Sequence, residues 1–262
     1  MREDGWRPWS PGHASYLPGL ATVIGHRGAA GRAPENTLAG LRAAHALDVR
    51  WVEFDVMLSR DEVPLLIHDE TLQRTTDGLG RVPRHTAAEI RACDAGSWFA
   101  AEFAGERVPT LDEAVALLLE LGLHANVEIK PAAGCELRTG EVVADTLRRI
   151  WPEDGPRLLL SSFEREALVP ARSLLPDVPR GLLASTLPDD WADAMQALEC
   201  ATLHLDHNHL GLAALHGLTE AGVPLLLYTV NSVSRASELL TAGAAALFSD
   251  VPDLLLADLA VQ

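Results

Sequence analysis

The chain has 262 residues, 48% of them hydrophobic, with 21 basic and 37 acidic side chains and a formal net charge of −16. That is enough apolar material for one large α/β domain with a buried core, while the charge argues against nucleic acid and against electrostatic binding to anionic bilayers. Cys93, Cys135 and Cys200 are odd in number, far apart and without C-x-x-C spacing, which argues against a disulfide framework or a thiolate zinc site.

Residues 1–20 form an N-terminal extension that carries Glu3 and Asp4 and is interrupted by Pro8, Pro11 and Pro18. It has no apolar stretch of the length a secretory signal needs. No later run approaches the ~18 apolar residues of a membrane span, so no stable membrane association is expected and a cytoplasmic location follows by elimination. Beyond the extension, strand candidates begin near Ala21, Trp51, Pro64, His124, Arg157, Arg180, Thr202, Pro224 and Ala245. Helical periodicity falls over 37–47, 111–121, 141–150, 164–174, 191–198, 210–221 and 234–241. This alternation predicts a TIM-type (β/α)8 barrel spanning 1–262 as a single domain. Nine strand candidates compete for eight places. The stretch between Val56 and Val63 is also too short for a crossover helix, so the unit joining the second and third strands must be irregular. Residues 70–109 are too long for an ordinary connection and read as a small cap inserted after the third strand, with Trp98 and Phe99 in it.

The chemistry gathers at strand ends. Side chains two apart on a strand share a face, so in Trp51-Val52-Glu53-Phe54-Asp55-Val56 the carboxylates of Glu53 and Asp55 converge while Val52, Phe54 and Val56 face apolar packing. Two such carboxylates ~7 Å apart repel unless a positive charge sits between them, and a hard divalent cation does that best. Glu128 and Lys130 repeat the pattern on another apolar strand. Lys130 is the only lysine beside twenty arginines, so generic solubilising charge does not account for it. His26 and His68 each follow an apolar run and precede a charged neighbour, Arg27 and Asp69. Two imidazoles can serve as general acid and general base on either side of a phosphorus. Arg27 offers planar donors suited to phosphate oxygens. The run from His204 to His209 invites a zinc reading, but it lacks a matching acidic or cysteine partner in sequence, and plain hydrogen bonding or a substrate contact is favoured.

Taken together these motifs resemble the glycerophosphodiester phosphodiesterases, and the short cytoplasmic bacterial members most. The likeness runs through HRG at 26–28, PENT at 34–37, Glu53-x-Asp55, His68-Asp69, RTTDG at 74–78, Glu128-x-Lys130, SSF at 161–163, YTVN at 228–231 and SDVP at 249–252. The resemblance implies that His26 and His68 are the catalytic pair and that Glu53, Asp55 and Glu128 hold one divalent cation, Mg2+ or Ca2+. It also implies that Arg27, Lys130 and Tyr228 contact a small glycerophosphodiester. Tyr228 stands where many members have Trp, which keeps an aromatic wall and adds a hydroxyl. The expected reaction is hydrolysis to sn-glycerol 3-phosphate and an alcohol. Two rivals remain at this level: lysophospholipase-D-like hydrolysis of lysophospholipids, and a catalytically silent phosphodiester-binding protein. The motifs leave open which histidine is the acid, and they carry nothing about oligomeric state.

Overall fold

In the computed structural model, residues 5–260 are described; Glu3 and Asp4 of the N-terminal extension lie outside them. The strands are β1 (Val23–Gly25), β2 (Trp51–Leu58), β3 (Pro64–Leu66), β4 (His124–Ile129), β5 (Leu158–Ser162), β6 (Arg180–Ala184), β7 (Thr202–Asp206), β8 (Leu225–Tyr228) and β9 (Ala246–Ser249). Eight of them, all but β3, pair in parallel, and the β1–β2 pairing closes the ring. The architecture is a TIM barrel. Its helices are α1 (Leu38–Ala46), α2 (Ala87–Arg91), α3 (Leu111–Leu121), α4 (Glu136–Ile150), α5 (Arg165–Leu174), α6 (Trp191–Leu198), α7 (Leu212–Glu220), α8 (Val233–Thr241) and α9 (Pro252–Leu259).

The surplus strand is β3. It runs antiparallel to β2, with Val56 opposite Leu66 and Leu58 opposite Pro64, so the short link needs only a hairpin. Ser59 closes that turn, its amide donating to the Val63 carbonyl at 3.1 Å. The return stroke brings the chain back along β2, where the Ile67 amide donates to the Asp55 carbonyl at 3.1 Å. That is what lowers His68 to the level of the β2 carboxylates.

All eight residues of β2 are buried, as expected for a barrel strand covered on both faces. Val52, Phe54 and Val56 point outward and pack with Leu41 of α1, Leu111 and Leu118 of α3, and Val143 and Leu147 of α4. The inward set changes character along the barrel axis. Ile24, Trp51, Leu159, Leu226 and Phe248 form an apolar floor. One step up, Glu53 lies in register with Asn126; the next layer pairs Asp55 with Glu128 and Glu128 with Ser161. The floor supplies burial, and the polar layers lie toward the C-terminal mouth, where barrel sites are built.

The N-terminal segment reaches the opposite end: the Trp51 indole donates to the Gly19 carbonyl at 2.9 Å, and Leu17 and Leu20 pack against the apolar floor. Residues 70–109 carry α2, started by a reciprocal Thr86–Glu89 capping box. They enclose a separate small core of Met57, Leu65, Ile67, Leu72, Val82 and Ile90. Three elements exceed the sequence reading, one of them α2, in a segment where no helix was predicted. The predicted 141–150 helix begins five residues earlier, at Glu136, and α9 was not anticipated because its Leu254-Leu255-Leu256 run gives no helical alternation. Among the described residues no helix is long and apolar enough to cross a membrane.

Candidate active site

The HRG and PENT segments, which connect β1 to α1, shape one wall of the mouth. Arg27 sits in the left-handed region at φ 51°, so its amide turns inward and donates to Glu53 Oε2 at 2.9 Å. Gly28 follows at φ 90°, where a Cβ would lie 2.6 Å from the Gly40 carbonyl carbon; only glycine lets this turn lie against α1. Each PENT residue has a separate task. The Pro34 carbonyl accepts from the Thr37 hydroxyl at 2.7 Å, and Thr37 Oγ1 in turn accepts from the Gly40 amide, capping α1. Asn36 clamps Asp55 from two sides, donating Nδ2 to Oδ2 at 2.8 Å and accepting the Asp55 amide at 3.1 Å. Glu35 accepts from Arg27 Nη1 at 2.7 Å.

Glu53, Asp55 and Glu128 converge as the strand alternation predicts: ligand oxygens from all three lie within 4.8 Å of one another, and all three residues are buried. Lys130 leans over this group, its Nζ 3.3 Å from Asp55 Oδ1 and 3.2 Å from Glu128 Oε1. Burial first, then repulsion from Asp55 and Glu128, pushes the Glu53 carboxyl well above its ordinary range. Burial and Asp55 likewise push Glu128 up to about 7. For Asp55 burial acts in the same direction, but Lys130, Arg27 and His68 outweigh it and hold the group ionised. Glu53 Oε1 is buried and has no hydrogen-bond partner among the described residues. Three buried carboxylates, two of them with a raised proton affinity, make an oxygen donor set that fits a hard divalent cation.

Both histidines are held at Nδ1 by a carboxylate. His26 Nδ1 lies 2.7 Å from Asp250 Oδ1, just past β9, and His68 Nδ1 lies 2.6 Å from Asp69 Oδ1. Such a bond fixes the ring and leaves Nε2 for chemistry; His26 Nε2 lies 3.9 Å from Glu53 Oε2. Burial, reinforced by Arg27 and Lys130 and opposed by Asp55, lowers the His68 pKa and favours its neutral form. A pocket of about 380 Å³ opens beside His26, Arg27, Glu35 and Asp250, and Trp98 and Phe99 of residues 70–109 also line it.

Tyr228 is at the end of β8, but its hydroxyl donates to the Ala184 carbonyl at 2.9 Å. Its polar tip is therefore used inside the fold, and its ring meets Phe163 edge-on at 5.9 Å, with Lys130 Nζ 5.8 Å from the Phe163 ring centre. The histidine run makes no metal group among the described residues. His204 is buried with Nε2 2.8 Å from Thr202 Oγ1, and burial pushes its pKa down to about 3. His207 Nε2 lies 3.2 Å from the Thr229 carbonyl.

Four residues at the site had no individual role in the sequence reading: Asp250, Asn36, Glu35 and Asn231, whose Nδ2 donates to Asp250 Oδ2 at 2.7 Å. Their only signal was membership of the PENT, YTVN and SDVP motifs. They lie up to 224 positions from their partners, a distance no local spacing rule spans.

Residues 26–254 match the family model described as the glycerophosphoryl diester phosphodiesterase family. The chain belongs to that family. It is 34% identical over 237 residues to a glycerophosphodiester phosphodiesterase of Caldanaerobacter subterraneus, covering 89% of this chain and 96% of the relative. An Oleispira antarctica phosphodiesterase solved with the product sn-glycerol-3-phosphate superposes with a TM-score of 0.89 at 40% identity, covering 92% of this chain and 97% of that one. A putative glycerophosphoryl diester phosphodiesterase from Silicibacter pomeroyi gives a TM-score of 0.81 at 25% identity, covering 96% and 95% of the two chains. As a family member this phosphodiesterase is a phosphoric diester hydrolase.

Proposed function

We propose that this enzyme hydrolyses small, water-borne glycerophosphodiesters to sn-glycerol 3-phosphate and an alcohol, in the cytoplasm, with one Mg2+ or Ca2+ held by Glu53, Asp55 and Glu128. The observation that carries the reading is the meeting, at one barrel mouth, of a three-carboxylate group within 4.8 Å and two histidines each held at Nδ1 by an aspartate. When bound, the cation supplies charge that neutralises phosphate oxygens and lowers the pKa of an oxygen nucleophile.

The chain's own residues supply the rest. Arg27 and Lys130 stay cationic because Asp55 and its neighbouring carboxylates outweigh the burial that opposes their charge, and they anchor the phosphate. One histidine Nε2 takes the proton of the attacking oxygen, and the other protonates the departing alkoxide. Asp69 and Asp250 keep each ring in the tautomer and orientation that this exchange needs. Residues 70–109 act as a cap: Trp98 and Phe99 bound the pocket beside His26 and keep water from the leaving group.

The test is turnover of glycerophosphocholine against lysophosphatidylcholine, with and without chelator. Glycerophosphocholine should be hydrolysed, chelation should abolish the activity, and Mg2+ or Ca2+ should restore it. Full activity in thorough chelator would remove the metal from the reading, and a preference for lysophosphatidylcholine would move the substrate to lysophospholipids.

A further inference from the structure

Arg74 opens the RTTDG motif at the start of the insertion, and nearly half of its side chain is exposed, yet its guanidinium makes four hydrogen bonds to two carboxylates. Nε donates to Asp69 Oδ2 at 2.6 Å and Nη2 to Asp69 Oδ1 at 3.0 Å. Nη1 donates to Glu35 Oε2 at 2.7 Å and Nη2 to Glu35 Oε1 at 2.8 Å. Each carboxylate has a second duty at the site: Asp69 Oδ1 holds His68 Nδ1, and Glu35 Oε1 accepts from Arg27 Nη1. An unbroken chain thus runs His68–Asp69–Arg74–Glu35–Arg27. It joins an expected proton-transfer group to an expected phosphate anchor through one residue that faces solvent. Two paired forks are the strongest and most directional form of an ion pair, and an ammonium on a flexible stem cannot reproduce them.

We propose that Arg74 is a positioning residue that sets His68 and Arg27 relative to each other by clamping Asp69 and Glu35 at once, and that it makes the insertion part of the catalytic apparatus. The proposal rests on the roles given above to His68 and Arg27. Because Arg74 is largely outside the barrel core, its removal disturbs orientation rather than folding. Through Asp69 it governs the ring angle of His68, and so kcat. Through Glu35 it governs the set of Arg27, and so KM.

The experiment is steady-state kinetics on Arg74→Ala and Arg74→Lys with glycerophosphocholine and saturating Mg2+. Melting curves accompany the kinetics, and His68→Ala serves as a separate control on the functional reading. Arg74→Ala should keep the wild-type melting temperature within a few degrees while kcat falls at least about tenfold and KM rises several-fold. Arg74→Lys should recover less than half of the loss, and added millimolar guanidinium should rescue Arg74→Ala but not Arg74→Lys. In double variants, Arg74→Ala should cost less than about threefold in kcat once Asp69→Asn is present, and less than about threefold in KM once Glu35→Gln is present. Wild-type kinetics for Arg74→Ala, or losses that simply multiply in both double variants, overturn the clamp. If His68→Ala turns over at the wild-type rate, the functional reading fails instead, and that result is legible apart from the Arg74 data.

Discussion

Replacing Glu128 by Gln tests the three-carboxylate group through stability alone. Burial, then Asp55, raises the Glu128 carboxyl from 4.5 to about 7, with Lys130 offsetting part of the rise. The folded metal-free protein therefore binds this proton more tightly than the unfolded chain does. Between pH 4.5 and about 7 the unfolded state holds fewer protons, so stability falls as pH rises through that window and levels off above it. At ~1.4 kcal/mol per tenfold in proton affinity, the fall attributable to Glu128 is about 3 kcal/mol. Glu53 is shifted in the same direction. His68 and His204 are shifted down by burial and give the opposite slope below their unfolded pKa, but they do so in both proteins and cancel in a difference. Urea unfolding in chelator at pH 5 and pH 8 should show the wild-type protein losing about 3 kcal/mol more than Glu128→Gln across that interval. Adding Mg2+ or Ca2+ at pH 8 should stabilise the wild type by several-fold more than the variant, since a ligand that binds only the folded state stabilises by mass action. Parallel pH profiles for the two proteins would refute the argument that burial and mutual repulsion raise the proton affinity of these carboxylates.

Other outcomes follow from the same geometry. His26→Ala and His68→Ala should each lower kcat by about 10²–10⁴, and the variant lacking the leaving-group acid should be partly rescued by a p-nitrophenyl substrate; if neither discriminates between leaving groups, the acid–base assignment is wrong. Asp250→Asn keeps the shape but weakens control of the His26 tautomer, and kcat should drop at least about tenfold, bounded by the ~10⁴ of the proton transfer itself; an unchanged kcat would show that the 2.7 Å contact is incidental. Head-group choice should be loose, with kcat/KM across choline, ethanolamine and inositol diesters within about tenfold, because Trp98 and Phe99 are too few for an aromatic cage; a hundredfold preference measured in competition would show that the insertion reads the alcohol.

Alternation on β2 and β4 was legible in the sequence because a strand's side-chain period is two whatever surrounds it. The positions of Glu53, Asp55, Glu128 and Lys130 relative to their apolar neighbours followed from that alone, and the ends of apolar runs marked the C-terminal strand ends beside which His26 and His68 lie. The barrel was legible as a rhythm of strands and helices, and the irregularity near residue 60 as a link too short for a helix. Which strand left the ring was not legible. β3 is three residues of apolar sequence like its neighbours, and its antiparallel pairing depends on what β2 offers along its edge. The partners of the two histidines were equally out of reach. Asp69 adjoins His68, but Asp250 is 224 positions from His26 and Glu35 is 39 from Arg74. Only barrel closure, with β9 laid against β1, brings Asp250 to the ring it holds. Burial was decided at the same level: a carboxylate's charge is written in the sequence, but its affinity for a proton or a cation is set by the water and the neighbours that folding removes or supplies.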